Sequence, residues 1–386
     1  MTAITPAAIG AWTTTDELPT PGNWGGQHDG PVVLDDGTVL VAGGAGGTGA
    51  PLARVARYDP GTNTWAPTGN LLTARRLHSV TLLDDGKVLV VGGTGVNSTQ
   101  FPPPGLAGAE VYDPVAGTWA TTGNLHTGRW GHSATLLPDG SVLVAGGSVV
   151  RSSQSLTALR TAERWDPESG DWTEVDPMTD ARSGHTAVLL PGGKVLVAGG
   201  SVPTGRNTET SIAYCELFDP EDTWSPTGSM TVPRARHQVT LAGITVLATG
   251  GTAPGPGGDG TFDPFARATA EVYQQATGTW TATEAMPAGR ELHRAVAVSA
   301  NTILVVGGTD GVRDAAGFAS VLLYDVTAGT WDTATGLEDG RWSFAATALA
   351  GQQVLVTGGV ARTGQAGSAL AASTEVFDAT DGGPIS

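Results

Sequence analysis

One cysteine in 386 residues, Cys215, leaves no partner for an intramolecular disulfide and no set for a multi-cysteine metal site. Lysine is nearly as scarce, with only Lys87 and Lys194. Against 20 Lys and Arg stand 37 Asp and Glu, a net charge of −17, which excludes a general binder of nucleic acid or of anionic membrane surfaces. No apolar run approaches the ~18 residues needed to span a bilayer. The opening MTAITPAAIGAW has neither the basic nor the apolar segment of a signal peptide. With so little cysteine, the expectation is a soluble protein of the reducing cytoplasm.

Glycine is what the chain has in excess, at 57 residues without a collagen period, which points to turn-rich β structure. Gly-Gly pairs begin at Gly43, Gly92, Gly146, Gly199, Gly250, Gly307 and Gly358, 49 to 57 residues apart. Each closes an apolar run of the VLVAGG type. A strand-like piece of the EVYDP type follows, and six of these are followed by Trp65, Trp119, Trp172, Trp224, Trp280 or Trp331. A seventh, Trp12, precedes the first pair, while the last unit stops after EVFD without a Trp. Each unit reads as four short strands, a to d, with tight a–b turns such as DDG and PDG. A period near fifty residues with four strands per unit is a propeller blade.

Diglycine, the Tyr-like residue before Asp and the spaced Trp resemble the kelch repeat over essentially the whole chain. The resemblance implies an all-β, seven-bladed kelch β-propeller of four antiparallel strands per blade. The expected organisation is a single propeller domain over 1–386, with blades near 26–70, 75–122, 129–176, 182–228, 234–284, 290–335 and 341–381. The strand around residues 8–16 then supplies strand d of the last blade and closes the ring.

The a–b and c–d turns lie on one face, the b–c loops and d–a links on the other. The b–c gaps hold 13 to 21 residues, among them FPPPGLAG and TAPGPGGDG, so the loop face is where binding residues belong. The short-turn face collects acids such as Asp36, Asp85 and Asp139, countered by Lys87 and Lys194, and reads as a solubility surface. Most Arg residues fall on the loop face, Arg206 and Arg313 included.

Six Arg residues open strand a: Arg75, Arg129, Arg182, Arg234, Arg290 and Arg341. Kelch proteins can use such a ring to hold acidic peptides or carboxylates, a role suited to the guanidinium fork. The alternative ties each Arg to the strand-c Glu of its blade (Glu110, Glu163, Glu216, Glu271, Glu375); blade 1 lacks both residues, and blade 6 has Leu322 in place of Glu. Three residues after the Arg come His78, His132, His185, His237 and His293, which read as buried packing groups rather than metal ligands. No metal and no cofactor is expected. A copper-radical site is set aside because Cys215 falls between blades, and an iron motif of the nitrile-specifier type because no Glu has an Asp four residues on.

Residues that break the repeat are the functional candidates. The first copy reads NWGGQHDG, with no Arg, and puts Asp29 at the usual His position, or His28 with a one-residue bulge. The catalytic candidates are His28, Asp29 and Glu291. The binding candidates are Trp24, Gln27, Arg76, Arg129, His126, Trp130, Arg236, Arg290, Arg341, Trp342 and Phe344. Blades 7, 1 and 6 would build one wall, with Arg holding an anion or polarised oxygen, Trp covering apolar surface, and His28, Asp29 or Glu291 moving a proton. The duller reading of NWGGQHDG is an irregular start beside the borrowed closing strand. Function then divides two ways. One is cofactor-independent acid–base chemistry on a small anionic or carbonyl-bearing molecule, of isomerase, lyase or cyclase type. The other is a scaffold that grips a protein partner through the b–c loops.

Overall fold

The computed structural model describes residues 9–95, 104–152, 155–205, 208–253, 266–310, 317–362 and 368–380. Arg206, Arg313, residues 101–103 of the first proline-rich loop and 254–260 of the second lie outside them.

Seven four-stranded antiparallel sheets follow one another along the chain. Blade 2 shows the pattern: strand a is Ser79–Leu82, b is Val88–Val91, c is Ala109–Asp113 and d is Thr118–Thr121. Strand b is buried at every position in this blade, as are Val39–Ala42, Val142–Ala145 and Val195–Ala198. A blade is covered on both sides by its neighbours, so its central strands need apolar residues on both faces and lose the polar alternation of a one-sided sheet. The core is therefore a series of clusters between blades, such as Leu40, Val55, Val88, Val90 and Tyr112 between blades 1 and 2.

Aromatic pairs hold the outer strands. Tyr58–Trp65, Tyr112–Trp119, Phe218–Trp224, Tyr273–Trp280 and Tyr324–Trp331 have ring centroids 4.9–5.2 Å apart. The indole Nε1 of Trp119 donates to the Gly69 carbonyl of the preceding blade at 2.8 Å, and that of Trp172 to Gly123 at 3.0 Å.

Ring closure repeats this geometry across the length of the chain. Ala11–Thr14 pairs with Thr374–Asp378, in register Trp12↔Phe377, and completes the last sheet. The Trp12 ring lies 5.1 Å from Phe377, and its Nε1 donates to Thr335 of blade 6 at 2.7 Å.

The diglycines are one place where adjacent blades approach closely. Gly92 and Gly93 have φ of 64° and 90°. A Cβ on Gly92 would stand 2.7 Å from the Arg129 carbonyl and from the His132 ring of the next blade, so only glycine fits. The five repeat His residues thus pack on glycine. Four of them also bond across blades: the His132, His185, His237 and His293 Nε2 atoms lie 2.9–3.1 Å from the hydroxyls of Ser79, Ser133, Thr186 and Thr249.

The short-turn face differs from expectation in its cations. Arg57 and Arg164 join the two lysines there, reaching from strand c to Asp36 and to Asp139 and Asp222. The loop face carries extra hairpins. Ser148–Ser152 pairs with Ser155–Ala158 above blade 3, and Ser201–Gly205 with Thr208–Ser211 above blade 4.

Candidate functional site

The six strand-a Arg residues are almost fully buried, at 0–1% exposure, so they do not ring an open mouth. Blade 2 shows what they do. Arg75 Nη1 donates to the carbonyls of Gly92 and Gly108, each at 2.9 Å, and Nη2 to Glu110 at 2.6 Å. Glu110 also accepts the backbone N–H groups of Leu72 and Thr73, at 2.6 and 3.0 Å, in the link from blade 1. Arg, Glu and link N–H thus form a lock between neighbouring blades. It recurs in Arg129–Glu163, Arg182–Glu216, Arg234–Glu271 and Arg341–Glu375, at 2.5–2.7 Å. His126 belongs to the second lock: its backbone N–H donates to Glu163 at 2.7 Å, and its half-exposed ring Nδ1 lies 3.0 Å from the same carboxylate. Burial lowers the pKa of Arg75, Arg129 and Arg234 while the carboxylate partner opposes the shift.

Blades 1 and 6 lack the carboxylate, and there the link has changed as well. Where blades 2, 3, 4, 5 and 7 use the N–H of Leu72, His126, Thr179, Thr231 and Glu338, blade 6 has Pro287 and blade 1 has Pro19. Proline has no N–H to leave unpaired when the acid is gone. Arg290 keeps its carbonyl bonds to Gly307 and Ser320 at 3.0 and 3.3 Å, bonds the Ser320 hydroxyl and stacks 5.0 Å from the Phe318 ring centroid. Burial without an acid beside it brings the Arg290 pKa down to about 10.

In blade 1 the break is larger. Gly22 takes the Arg position, since its carbonyl accepts the Gly359 N–H at 2.8 Å just as the Arg75 carbonyl accepts that of Gly44. Trp24, not Asp29 or His28, fills the His slot: its ring lies under Gly358, where a Cβ would come within 2.8 Å. Phe344 fills the same slot in blade 7, against Gly307. Trp24 and Phe344 are therefore interior groups at 3% and 0% exposure, packed between blades rather than set at the channel mouth.

The next residues turn into the channel. Around the mouth, backbone N–H groups of Gly131, Gly184, Arg236, Leu292, Ser343 and Trp24 each donate to the previous blade, at 2.7–3.4 Å, beginning from the Leu77 carbonyl. Leu77, Arg236, Leu292 and Ser343 adopt left-handed φ of 51–55° to do so. The ring of bonds stops at Trp24, and residues 25–29 run across the channel. The His28 carbonyl accepts Val80 N–H of blade 2 at 3.0 Å, and its Nε2 accepts Ala187 N–H of blade 4 at 3.3 Å. Gln27 accepts from the Gln238 side chain of blade 5. Asp29 pairs with Arg294 of blade 6 at 3.2 Å and caps Gly26 N–H at 2.8 Å, while Arg294 also donates to the Gly26, Trp24 and Phe344 carbonyls. Within NWGGQHDG, residues 25–29 are a plug that ties one blade to four others.

Its titration follows from that setting. Desolvation, with Arg294 adding to it, brings the His28 pKa down to about 4, and Nε2 is held as an acceptor, so the ring is neutral. Desolvation raises the Asp29 pKa against the pull of Arg294.

The expected wall of blades 7, 1 and 6 is not assembled. Glu291 faces blade 5, where Arg236 reaches it at 3.4 Å and Glu209 at 3.1 Å. Desolvation raises the Glu291 pKa, with Arg236 opposing. Arg76 brackets Thr94, its Nε 3.4 Å from the hydroxyl. Trp130 and Trp342 are partly buried at the mouth, their indole N–H groups without a partner among the described residues. Arg294, Gln238 and Glu209 were missed by sequence reasoning. The first two carry a signal: both follow the repeat His, where other blades place Ser79, Ser133 or Thr186. Cys215 is packed with Met230 and Trp280 between blades, and among the described residues no group of three His, Cys, Asp or Glu is set to hold a metal ion.

The KLHDC2/KLHL20/DRC7 Kelch-repeats domain model matches residues 131–359, more than half of the chain. The chain belongs to the kelch-repeat family. Among relatives of this kelch propeller, Kelch-like protein 35 of Mus musculus is 36% identical over 28% of this chain and 17% of its own length. Kelch-like protein 34 of Homo sapiens is 27% identical over 62% of this chain and 36% of its own. The chain thus spans only a minor part of the curated relatives it matches. Two solved structures share the fold: a fungal alcohol oxidase of the AA5 family, in complex with copper, with TM-score 0.72 at 18% identity over 96% of this chain and 76% of that one, and YjhT, with TM-score 0.62 at 15% identity over 83% and 99%. Among the described residues no helix is long and apolar enough to cross a membrane.

Proposed function

We propose that the chain is a protein-interaction propeller whose binding surface is the loop face. The observation that carries this reading is the commitment of the acid–base and cationic candidates to the chain itself. Arg129, Arg290 and Arg341 are spent on carbonyls and acids inside blades. His28 and Asp29 are spent in the plug, with their bonds directed at blades 4 and 6. Proton transfer by groups so engaged would require breaking the contacts that hold the channel together. What stays available on the loop face is a surface: the hairpins of blades 3 and 4, half-exposed Arg236 between two acids, and partly exposed Arg76, Trp130 and Trp342 at the rim. Aromatic and Arg side chains on a rigid rim are the chemistry of protein recognition.

The test is affinity capture from a lysate of the encoding organism with loop-face and short-turn-face variants side by side. Arg236→Glu with Trp130→Ala should release a protein that the unchanged chain and an Asp85→Lys variant both retain. Release by Asp85→Lys alone, or the same retention by all three, would move the surface or remove the reading.

A further inference from the structure

Blade 1 contains a slot of the kind that a side chain fills in the other blades and that no described residue fills here. With Gly22 at the Arg position and Ala56 at the Glu position, a cavity of about 250 Å³ remains, reaching Gly43 at its base. In the other six blades the corresponding space holds a guanidinium, whose Nη1 donates to the first diglycine carbonyl and to a second carbonyl on the approach to strand c: Gly92 and Gly108 in blade 2, Gly307 and Ser320 in blade 6. The blade 1 counterparts are the carbonyls of Gly43 and Arg54, as the Gly43 N–H to Arg54 carbonyl bond of 3.0 Å establishes. Among the described residues no side chain donates to either. The walls include Leu52, Val55 and Trp24, apolar surfaces of the sort that cover the methylene stem of an arginine. The rim is open, with Pro19, Arg54 and Asn70 exposed.

We propose that this slot takes an arginine side chain from a protein partner, its guanidinium donating to the Gly43 and Arg54 carbonyls as the chain's own arginines donate in the other six blades. The inference rests on the interaction reading above and names the chemistry of one contact. An acidic side chain does not suit the slot's interior, because Pro19 has removed the N–H that receives the carboxylate elsewhere. The missing acid is not an obstacle to a cation, since Arg290 occupies the same slot in blade 6 with Leu322 in place of Glu. A net charge of −17 favours the approach of a basic segment.

The experiment uses the full chain and Nα-acetyl-arginine amide, followed by NMR or calorimetry, with Nα-acetyl-citrulline amide as the neutral isostere. Arginine amide should bind saturably at one site, and citrulline amide at least about tenfold more weakly. Ala56→Glu, which adds the carboxylate of the other locks, should strengthen arginine binding about tenfold. Gly22→Arg with Ala56→Glu rebuilds the lock from within and should abolish binding while leaving thermal unfolding at or above the original temperature. Absence of saturable binding, equal binding of citrulline, or an Ala56→Glu variant no tighter than the parent overturns the slot, and none of these depends on a loss of folding. Arginine binding with no captured protein overturns the interaction reading and leaves the slot standing. A captured protein that loop-face variants release, but the rebuilt lock holds unchanged, overturns the slot alone.

Discussion

Blade 2 and blade 1 have the same four strands in the same order, yet they are held to their neighbours by different means. Blade 2 uses a buried ion pair: Arg75 and Glu110, both near full burial, joined to each other and to the backbone of the link from blade 1. Blade 1 has none of these groups. It substitutes an aromatic wedge, Trp24 under Gly358, and a five-residue plug that bonds to blades 2, 4, 5 and 6. The lock is local and repeatable, because all its atoms come from one blade and the link before it. The plug is global and can occur once, because it uses the channel that all blades share. A ring closed by a borrowed N-terminal strand has one irregular junction, and that is where this chain places its exceptional contacts.

The severest way to break the comparison is to remove residues 9–18. Blade 7 would lose its outer strand, and the Trp12–Phe377 and Trp12–Thr335 contacts with it. The expected outcome is loss of the single cooperative transition in thermal or denaturant unfolding. An unchanged transition would mean that the junction is held by the plug alone.

The lock itself is sharpened by imitating blade 6 in blade 4. Glu216→Leu leaves Arg182 and the Thr179 N–H buried without their acid, and should cost roughly 3–5 kcal/mol in chemical denaturation. Adding Thr179→Pro reproduces the Leu322 and Pro287 arrangement and should recover about 1 kcal/mol or more by removing the orphaned donor. Equal losses for the single and double variants would show that the proline does not accompany the missing acid for this reason.

Acid separates the two regions next. Burial brings the His78 pKa down to about 3 and that of His28 to about 4, and holds His185, His237 and His293 well below 6.5. The unfolded chain therefore takes up protons first as pH falls. The contribution of these neutral rings is complete above about pH 6.5 and is lost as pH drops below it toward the folded-state values. His237→Phe makes a swap that Phe344 already represents in blade 7. It should flatten the acid limb of stability against pH by up to about 1.4 kcal/mol per unit as pH falls below about 6. An unaltered limb would place the proton uptake elsewhere.

The smallest effect belongs to the loop-face cluster. Arg236→Ala removes one ion pair to partly exposed Glu209 and one to Glu291, whose carboxylate is buried, and should cost about 1 kcal/mol because the guanidinium end of both pairs is half-exposed. A loss of several kcal/mol would make the cluster part of the frame rather than a free surface.

Most of the fold could be read from residue order. Diglycines, the Tyr–Trp spacing and the unpaired Trp12 define blades and closure because each has a local geometric cause: a left-handed φ, an aromatic pair, a strand without a sheet. The Arg–Glu lock was one of two readings open to the sequence, and burial decided between them. The candidate site was less legible. Counting back from Gly43 put Asp29 in the His slot, because counting presumes that the chain continues in register. Trp24 reached the slot instead, and the residues after it left the strand path altogether. Gln238 and Arg294 stood out from the repeat, but nothing in their own neighbourhoods says that they answer to Gln27 and Asp29, more than two hundred residues away.

What residue order determined by itself is whatever repeats: strand periodicity, the succession of units and the glycine turns. Those features depend on contacts within one unit or with the next, so each unit states them afresh. What only the tertiary structure decided is whatever occurs once. The course of residues 25–29 across the channel, the partners of His28 and Asp29, and the empty arginine slot of blade 1 depend on atoms brought together by closing the ring. Closure is a property of all seven blades at once, and no single stretch of chain carries it.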